Sequence, residues 1–247
     1  MKVFVQINQN GMPYSINGYA AMTGFEKMGF EVVLFKNLSD VLDKMKREDV
    51  VVGGLGTVRH SLSGLGIDYQ EINYPQEIRQ YLGRRIWHSK MNTINSHPEM
   101  WPVFVKSVTG KQITGKVIRS PRDLMGLGSN YENPDVICNE VVDFTAEWRA
   151  YVRYGRIEGV RQYYYGDWHY HYDPNIVEQC LHDYHNCPAG CSLDFGVTKA
   201  GRTLLVEVNE GYSLAAYGLY DIRYAKLLAA RWAEMAGTKD ECTFDLD

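Results

Sequence analysis

No block of lysine and arginine interrupts this 247-residue chain, and its formal charge is only −4. An electrostatic footprint for nucleic acid or an anionic membrane is therefore missing. Missing too is any apolar run long enough to span a bilayer, and the opening MKVFVQINQNG turns polar too soon for a signal peptide. The expectation is a cytoplasmic protein with no membrane and no nucleic acid among its partners. The cysteines number five, an odd count that argues against a disulfide framework and suits a reducing compartment. Repeats and low-complexity segments are absent as well. With 45% hydrophobic and 23% charged residues the chain is not a disordered one, and its length allows one large domain or two small ones around a substantial core.

The first third alternates strand and helix. KVFVQIN reads as a strand, NGYAAMTGFEKMGF as a helix ending near Gly29, EVVLF as a second strand, SDVLDKMKRE as a second helix capped by Ser39, and DVVVGGLG as a third strand. Such alternation argues a small parallel α/β unit. The glycines of GGLGTVRHSL invite a dinucleotide fingerprint, but Arg59 occupies the third glycine position and the motif follows the third strand. A tight strand-to-helix turn is the simpler reading, with Arg59 still placed to face a ligand.

From YPQEIRQYLGRRIWHSKMNTINS onward the pattern becomes helix and then strands of the antiparallel kind. These are WPVFVKS, the return after the loop VTGKQITGKVI, PDVICNEVV, EWRAYVRYG and RIEGVRQYYYG, the last two joined by a Tyr-Gly turn. Asp173-Pro174 caps a helix running to near Tyr184, and LYDIRYAKLLAARWAEM forms a closing helix with Ile222, Ala225, Ala229, Trp232 and Ala236 on one face.

CSLDFGVTKAGRTLLVEVNEG carries two apolar runs around a short turn. A turn centred on Ala200-Gly201 sets Asp194 across from Glu207 and Ser192 across from Asn209, with Leu193, Phe195, Val197, Leu204, Val206 and Val208 on the opposite, apolar face. Paired carboxylates repel unless something positive lies between them. Asp194, Glu207 and Asn209 together offer hard oxygen donors of the kind Mg2+ takes. The alternative is an exposed strand face whose acids pair with surface lysines. Elsewhere, CLHDYHNCPAGC offers His182, His185, Cys187 and Cys191 to zinc, although its two pairs are nearly contiguous where closed zinc sites are usually spread further apart. A helix end with semi-buried thiols is the plainer reading. YYYGDWHYHYD puts His169 and His171 on one face of a strand and Trp168, Tyr170 and Tyr172 on the other, as a pocket wall or as packed aromatics.

On these residues the chain resembles the ATP-grasp superfamily, the carboxylate-amine ligases, over roughly residues 86 to 236, and looks closest to a small bacterial and phage branch related to a eukaryotic initiation-factor assembly protein. The pattern Asp194, Glu207-x-Asn209, Gly211 is similar to the family's magnesium hairpin. FVKSVTGKQITGK looks like the strand that delivers a phosphate-binding lysine, here Lys106, and the flexible loop that covers the phosphates; Lys106 as a strand-end lysine in water is the alternative. Lys90 matches the earlier nucleotide lysine. NEVVDFTAEWR resembles the adenine hinge, with Glu140, Val141 and Val142 at it and Glu147 placed like the acid that reaches the ribose.

The resemblance implies an α+β ATP-grasp fold over 86–247 behind a parallel α/β pre-ATP-grasp domain over 1–85. It also implies ATP and Mg2+ as cofactors, with cations from Lys106, Lys90, Lys116 and Arg149 around the transferred phosphoryl group. One departure stands out: many of these ligases carry arginine two residues before the metal-binding aspartate, and this chain has Ser192. Arg149 or Arg161, on neighbouring strands, is placed to supply that charge, while Arg149 in a cross-strand ion pair is the alternative. The implied activity joins a small-molecule, peptide or protein carboxylate to an amine through an acyl phosphate, releasing ADP. A second implied possibility is an ATP-binding assembly or regulatory module without turnover.

Overall fold

The computed structural model describes residues 1–247 except 73, 109–112, 114, 128–132, 164–165 and 245–247. The covering loop expected from VTGKQITGK therefore lies mostly outside the described residues. Two compact units emerge, one from Met1–Tyr81 with Thr145–Asp247 and the other from Leu82–Phe144.

In the first unit, β1 (Val3–Gln6), α1 (Ile16–Lys27), β2 (Val32–Phe35), β3 (Val50–Val52) and α2 (Leu55–Gly64) build a three-stranded parallel sheet in the order β2-β1-β3. The strands are apolar and β-branched, as parallel strands between covering layers must be. Ser15 caps α1 by accepting from Gly18 N at 3.2 Å. Arg59, in α2, pairs with Glu71 at 2.6 Å instead of standing open to a ligand. The helix expected over SDVLDKMKRE is two 3-10 turns, Leu38–Asp40 and Leu42–Lys44, and Ser39 caps neither. Val41 divides them at φ −133°, outside the helical region, with its side chain in the core.

The second unit holds β4 (Ile86–Lys90), α3 (Met91–Ser96), β5 (Val103–Ser107), β6 (Lys116–Ile118) and β7 (Asp135–Glu140), an antiparallel sheet in the order β4-β7-β5-β6 over a core that includes Met91, Ile94, Val105 and Cys138. The helical reading of the stretch before WPVFVKS holds only for the 3-10 segment Gln76–Leu82 and the short α3. Between them, IWHSK is a strand because pairing with β7 outweighs local preference.

The first unit continues with β8 (Phe144–Arg153), β9 (Arg156–Gln162), α4 (Pro174–Asp183), β10 (Gly190–Thr198), β11 (Thr203–Glu210) and α5 (Asp221–Ala236). The four strands form a sheet in the order β11-β10-β8-β9, and Asp173 and Pro174 start α4 as expected. Trp232, Ala229 and Ala225 of α5 join Phe4, Phe25 and Tyr151 in one core. The described part of YYYGDWHYHYD forms turns rather than a strand: Asp167 accepts from His169 N at 3.0 Å, and Trp148 packs on His171 and Tyr172.

Although the turn centres on Ala200 alone, with Val197 opposite Thr203, the β10/β11 register pairs Asp194 with Glu207 and Ser192 with Asn209 as expected. Beyond Asp194 a bulge shifts it, so Phe195 meets Leu205 and Gly196 meets Leu204. Leu205, not Leu204, therefore lies across from Phe195, and Val206 is the extra residue. The exposed acid face is also corrected. β10 is an inner strand, buried along its whole length, with Asp194 1% exposed.

Helix α1 meets α5 at Gly24, where a Cβ would lie 2.2 Å from the Asp221 carbonyl oxygen and 2.8 Å from Ala225 Cβ. Gly24→Val should overpack this contact and cost about 1–3 kcal/mol, measurable as a lowered urea midpoint.

Candidate functional site

Strand alternation and register gather Glu147 and Arg149 of β8, Arg161 of β9, Asp194 of β10, and Glu207 and Asn209 of β11 on one face of the four-stranded sheet. Arg149 and Arg161 are directly opposite each other. At the centre, Arg149 grips Asp194 with two hydrogen bonds, Nε to Oδ1 at 2.8 Å and Nη2 to Oδ2 at 2.7 Å. Asn209 Nδ2 donates to the same Oδ2 at 3.0 Å, and Ser192 Oγ lies 3.4 Å from Oδ1. A carboxylate has about four lone-pair positions, so protein donors surround Asp194 completely.

Burial pushes the Asp194 carboxyl up, against the pull of Arg149 and Asn209. For Arg149 burial acts against the charge, yet the hydrogen bonds and charge of Asp194 hold its pKa above the ordinary arginine range. The cross-strand pairing considered for Arg149 is thus present, and its partner is the aspartate read as a metal ligand.

Aromatic rings complete the setting. Arg149 Cζ lies 5.2 Å from the Tyr163 ring centre and 5.1 Å from that of Tyr217, and the two rings stack at 5.3 Å. The Tyr163 hydroxyl donates to Glu147, and burial, followed by the charges of Asp194 and Glu147, keeps that phenol protonated far above its usual range. Segment 213–219 lies across the sheet face. The Ala215 carbonyl accepts from the Tyr151 hydroxyl at 2.7 Å and from Arg149 Nη1 at 3.5 Å, and the Gly218 carbonyl accepts from Arg161 Nε at 3.1 Å. The N-terminal part of the unit pins this segment, since Ser213 Oγ donates to the Gly53 carbonyl at 2.8 Å and Ala216 N to Asn17 Oδ1 at 2.9 Å. Ser213 and Tyr217 adopt left-handed φ of 50° and 43°, a cost that such tethers offset.

The sequence reading did not single out Tyr163 or Tyr217. Continued alternation from Arg161 would have placed Tyr163 on the site face. Tyr217 had no periodic signal, because an irregular segment brings it there.

Six further candidates lie in the second unit, at its strand ends or just after. Lys90 ends β4, where its Nζ is 3.0 Å from Asp135 Oδ1 in an exposed cross-strand pair. Lys106 is half-buried on β5 opposite Ile137, and Lys116 opens β6 opposite Val105. Glu140 ends β7 and accepts from Arg85 N at 2.9 Å, and half-buried Val141 and Val142 follow it. Zinc finds no support: among the described residues no three His, Cys, Asp or Glu side chains gather as a metal site. No helix among them is long and apolar enough to cross a membrane.

Among solved structures, D-alanine–D-alanine ligase from Bacillus anthracis is 17% identical, with a TM-score of 0.57 over 95% of this chain and 96% of that one. N5-carboxyaminoimidazole synthetase from Staphylococcus aureus is 11% identical, with a TM-score of 0.60 over 98% of this chain and 78% of that one. L-amino acid ligase from Bacillus licheniformis is 11% identical, with a TM-score of 0.58 over 100% of this chain and 77% of that one. Identities this low speak for the fold alone. No curated protein matches the sequence. The model of the ATP-grasp domain, R2K clade family 2, matches residues 81–227. The chain belongs to that family of the ATP-grasp superfamily.

Proposed function

We propose that the protein is a Mg2+- and ATP-dependent ligase that activates a carboxylate as an acyl phosphate and joins it to an amine. The observation that carries this reading is the sheet face itself, where Asp194, Glu207 and Asn209 stand in register beside a guanidinium locked by two hydrogen bonds. Its support from outside the site is the family match, together with the ATP and ADP held by structural neighbours of the same fold.

The donors fit a hard divalent cation in type, being oxygen-bearing and grouped on one face. Asp194 is fully engaged, but Asn209 carries an oxygen as well as the N–H2 that now meets Oδ2. Exchanging the two ends of that amide leaves an Asp194 lone pair and the Asn209 oxygen for the ion, with half-buried Glu207 as the third ligand. Asp194, Glu207 and Asn209 would hold the ion, which would supply positive charge against the phosphates when bound. Arg149 supplies a fixed cation that the rings of Tyr163 and Tyr217 hold in place, and Arg161 a second one beside it. From the sequence resemblance, Lys106, Lys90 and Lys116 are assigned to the phosphates, Glu140, Val141 and Val142 to adenine, and Glu147 to the ribose. No side-chain nucleophile is needed, because the attacking oxygen belongs to the substrate. The full donor shell around Asp194 favours one second reading, a module that binds nucleotide without turnover. ADP release that depends on a particular carboxylate and amine separates the two.

Glu207→Gln should weaken Mg2+-dependent ATP binding by about tenfold or more in calorimetry with little change in urea stability. Asp194→Asn should weaken it as well, and in addition should lose about 3–5 kcal/mol of stability, because it leaves the Arg149 charge buried and unpaired. Lys106→Ala should reduce nucleotide affinity more than Lys111→Ala, and equal effects in the same titration would remove Lys106 from the site.

A further inference from the structure

A cavity of 690 Å3 opens between the first two turns of α1 and the segment that covers the site, walled by Ile16, Tyr19, Ala20, Ala216, Tyr217 and Leu219. This volume suits a small molecule or one or two residues of a peptide. Its walls are unusually apolar for a surface: Ile16 is 80% exposed, Tyr19 46% and Tyr217 42%. Solvated apolar side chains grouped this way mark a binding surface more often than isolated ones do.

The cavity shares a wall with the candidate site. Tyr217 is a wall of the first and lies 5.1 Å from Arg149 in the second. Ala215, also on the lining, accepts from Arg149 through its carbonyl.

Charge decides what enters. The lining contains one charged side chain, Asp221, and no lysine or arginine. The cations nearby are already engaged, Lys27 by Asp221 and the two arginines of the site by the Ala215 and Gly218 carbonyls, so the acyl donor and the nucleotide find no unpaired partner in the lining. An ammonium group meets the Asp221 carboxylate, which is already at the rim and 3.1 Å from Lys27 Nζ. We propose that this cavity is the acceptor subsite and selects a free α-amine carrying an apolar aliphatic or aromatic side chain, from an amino acid or from the first residue of a peptide.

The inference rests on the ligase reading. In the step it serves, the ammonium loses a proton to water and the nitrogen attacks the carbonyl carbon of the acyl phosphate. The C–N bond forms, the C–O bond to phosphorus-bound oxygen breaks, and inorganic phosphate departs with that electron pair. A second nitrogen proton passes to solvent, leaving a neutral amide.

The test uses the full chain with Mg2+ and a non-hydrolysable ATP analogue, titrated calorimetrically with amines that lack a free α-carboxylate. The probes are L-phenylalaninamide, the amide of Phe-Gly-Gly, and isoglutamine, whose side chain is acidic. Either phenylalanine probe should bind at least about tenfold more tightly than isoglutamine, and which of the two is preferred tells an amino acid from a peptide. Ala20→Trp should fill the cavity and weaken the better probe about tenfold. Ile16→Lys, at an exposed position where folding is not at risk, should raise isoglutamine affinity and narrow the discrimination. Analogue binding with equal affinities, a preference for isoglutamine, no amide binding, or indifference to both variants overturns the acceptor assignment alone. If the analogue fails to bind the wild-type protein, the ligase reading falls and takes this inference with it.

Discussion

A guanidinium and a carboxylate taken out of water together set the constraint on which the candidate site depends. Removing ions from water costs several kcal/mol each, and the cost is recovered only with good geometry and further hydrogen bonds. Arg149 and Asp194 meet both conditions through two direct bonds, with Asn209 and Ser192 filling the remaining positions. The consequences spread along the sheet. β8 and β10 have to be neighbours in a register that brings the two groups together, and β11 has to place an amide, not a third acid, beside Asp194. The stacked tyrosines then hold the guanidinium, so the positive charge keeps one position.

That arrangement depends on residues far away in the chain. Segment 213–219 shapes the site with carbonyl oxygens and Tyr217, yet its own anchors are Gly53 after β3 and Asn17 in α1. The parallel sheet near the N-terminus thus shapes a site whose charged residues come from the last hundred or so positions. Its role shows in tethers and in one wall of a cavity, and not in any catalytic motif of its own. This is why GGLGTVRHSL resembles a fingerprint and fails as one: its glycine carbonyl holds a loop, while Arg59 is occupied by Glu71.

What could be read from the sequence follows the same division. Period-two alternation put Asp194 and Glu207 within reach of each other, but their pairing needs the bulge: from a turn centred on Ala200 an unbroken ladder would set Asp194 across from Val206. The bulge after Asp194 was not readable, since Leu204, Leu205 and Val206 are all apolar and one extra residue leaves no mark among them. Burial of Asp194 was also hidden: an acid in an alternating strand looks the same whether water or an arginine from another strand meets it. The β4 strand and the broken helix near Val41 were lost to tertiary pairing and packing, which propensity does not report. Tyr217 came from irregular backbone, where no period exists to follow.

The bulge at Val206 has a practical side. It sits between the Asp194–Glu207 pair and the exposed tip of the ribbon around Lys199 and Ala200. A local irregularity of this kind absorbs changes in strand length and twist, and exposed tips of polar or small residues accept added sequence. The tip is therefore a natural point for grafting an affinity tag or a fluorophore, leaving the far end of the ribbon in its present alignment.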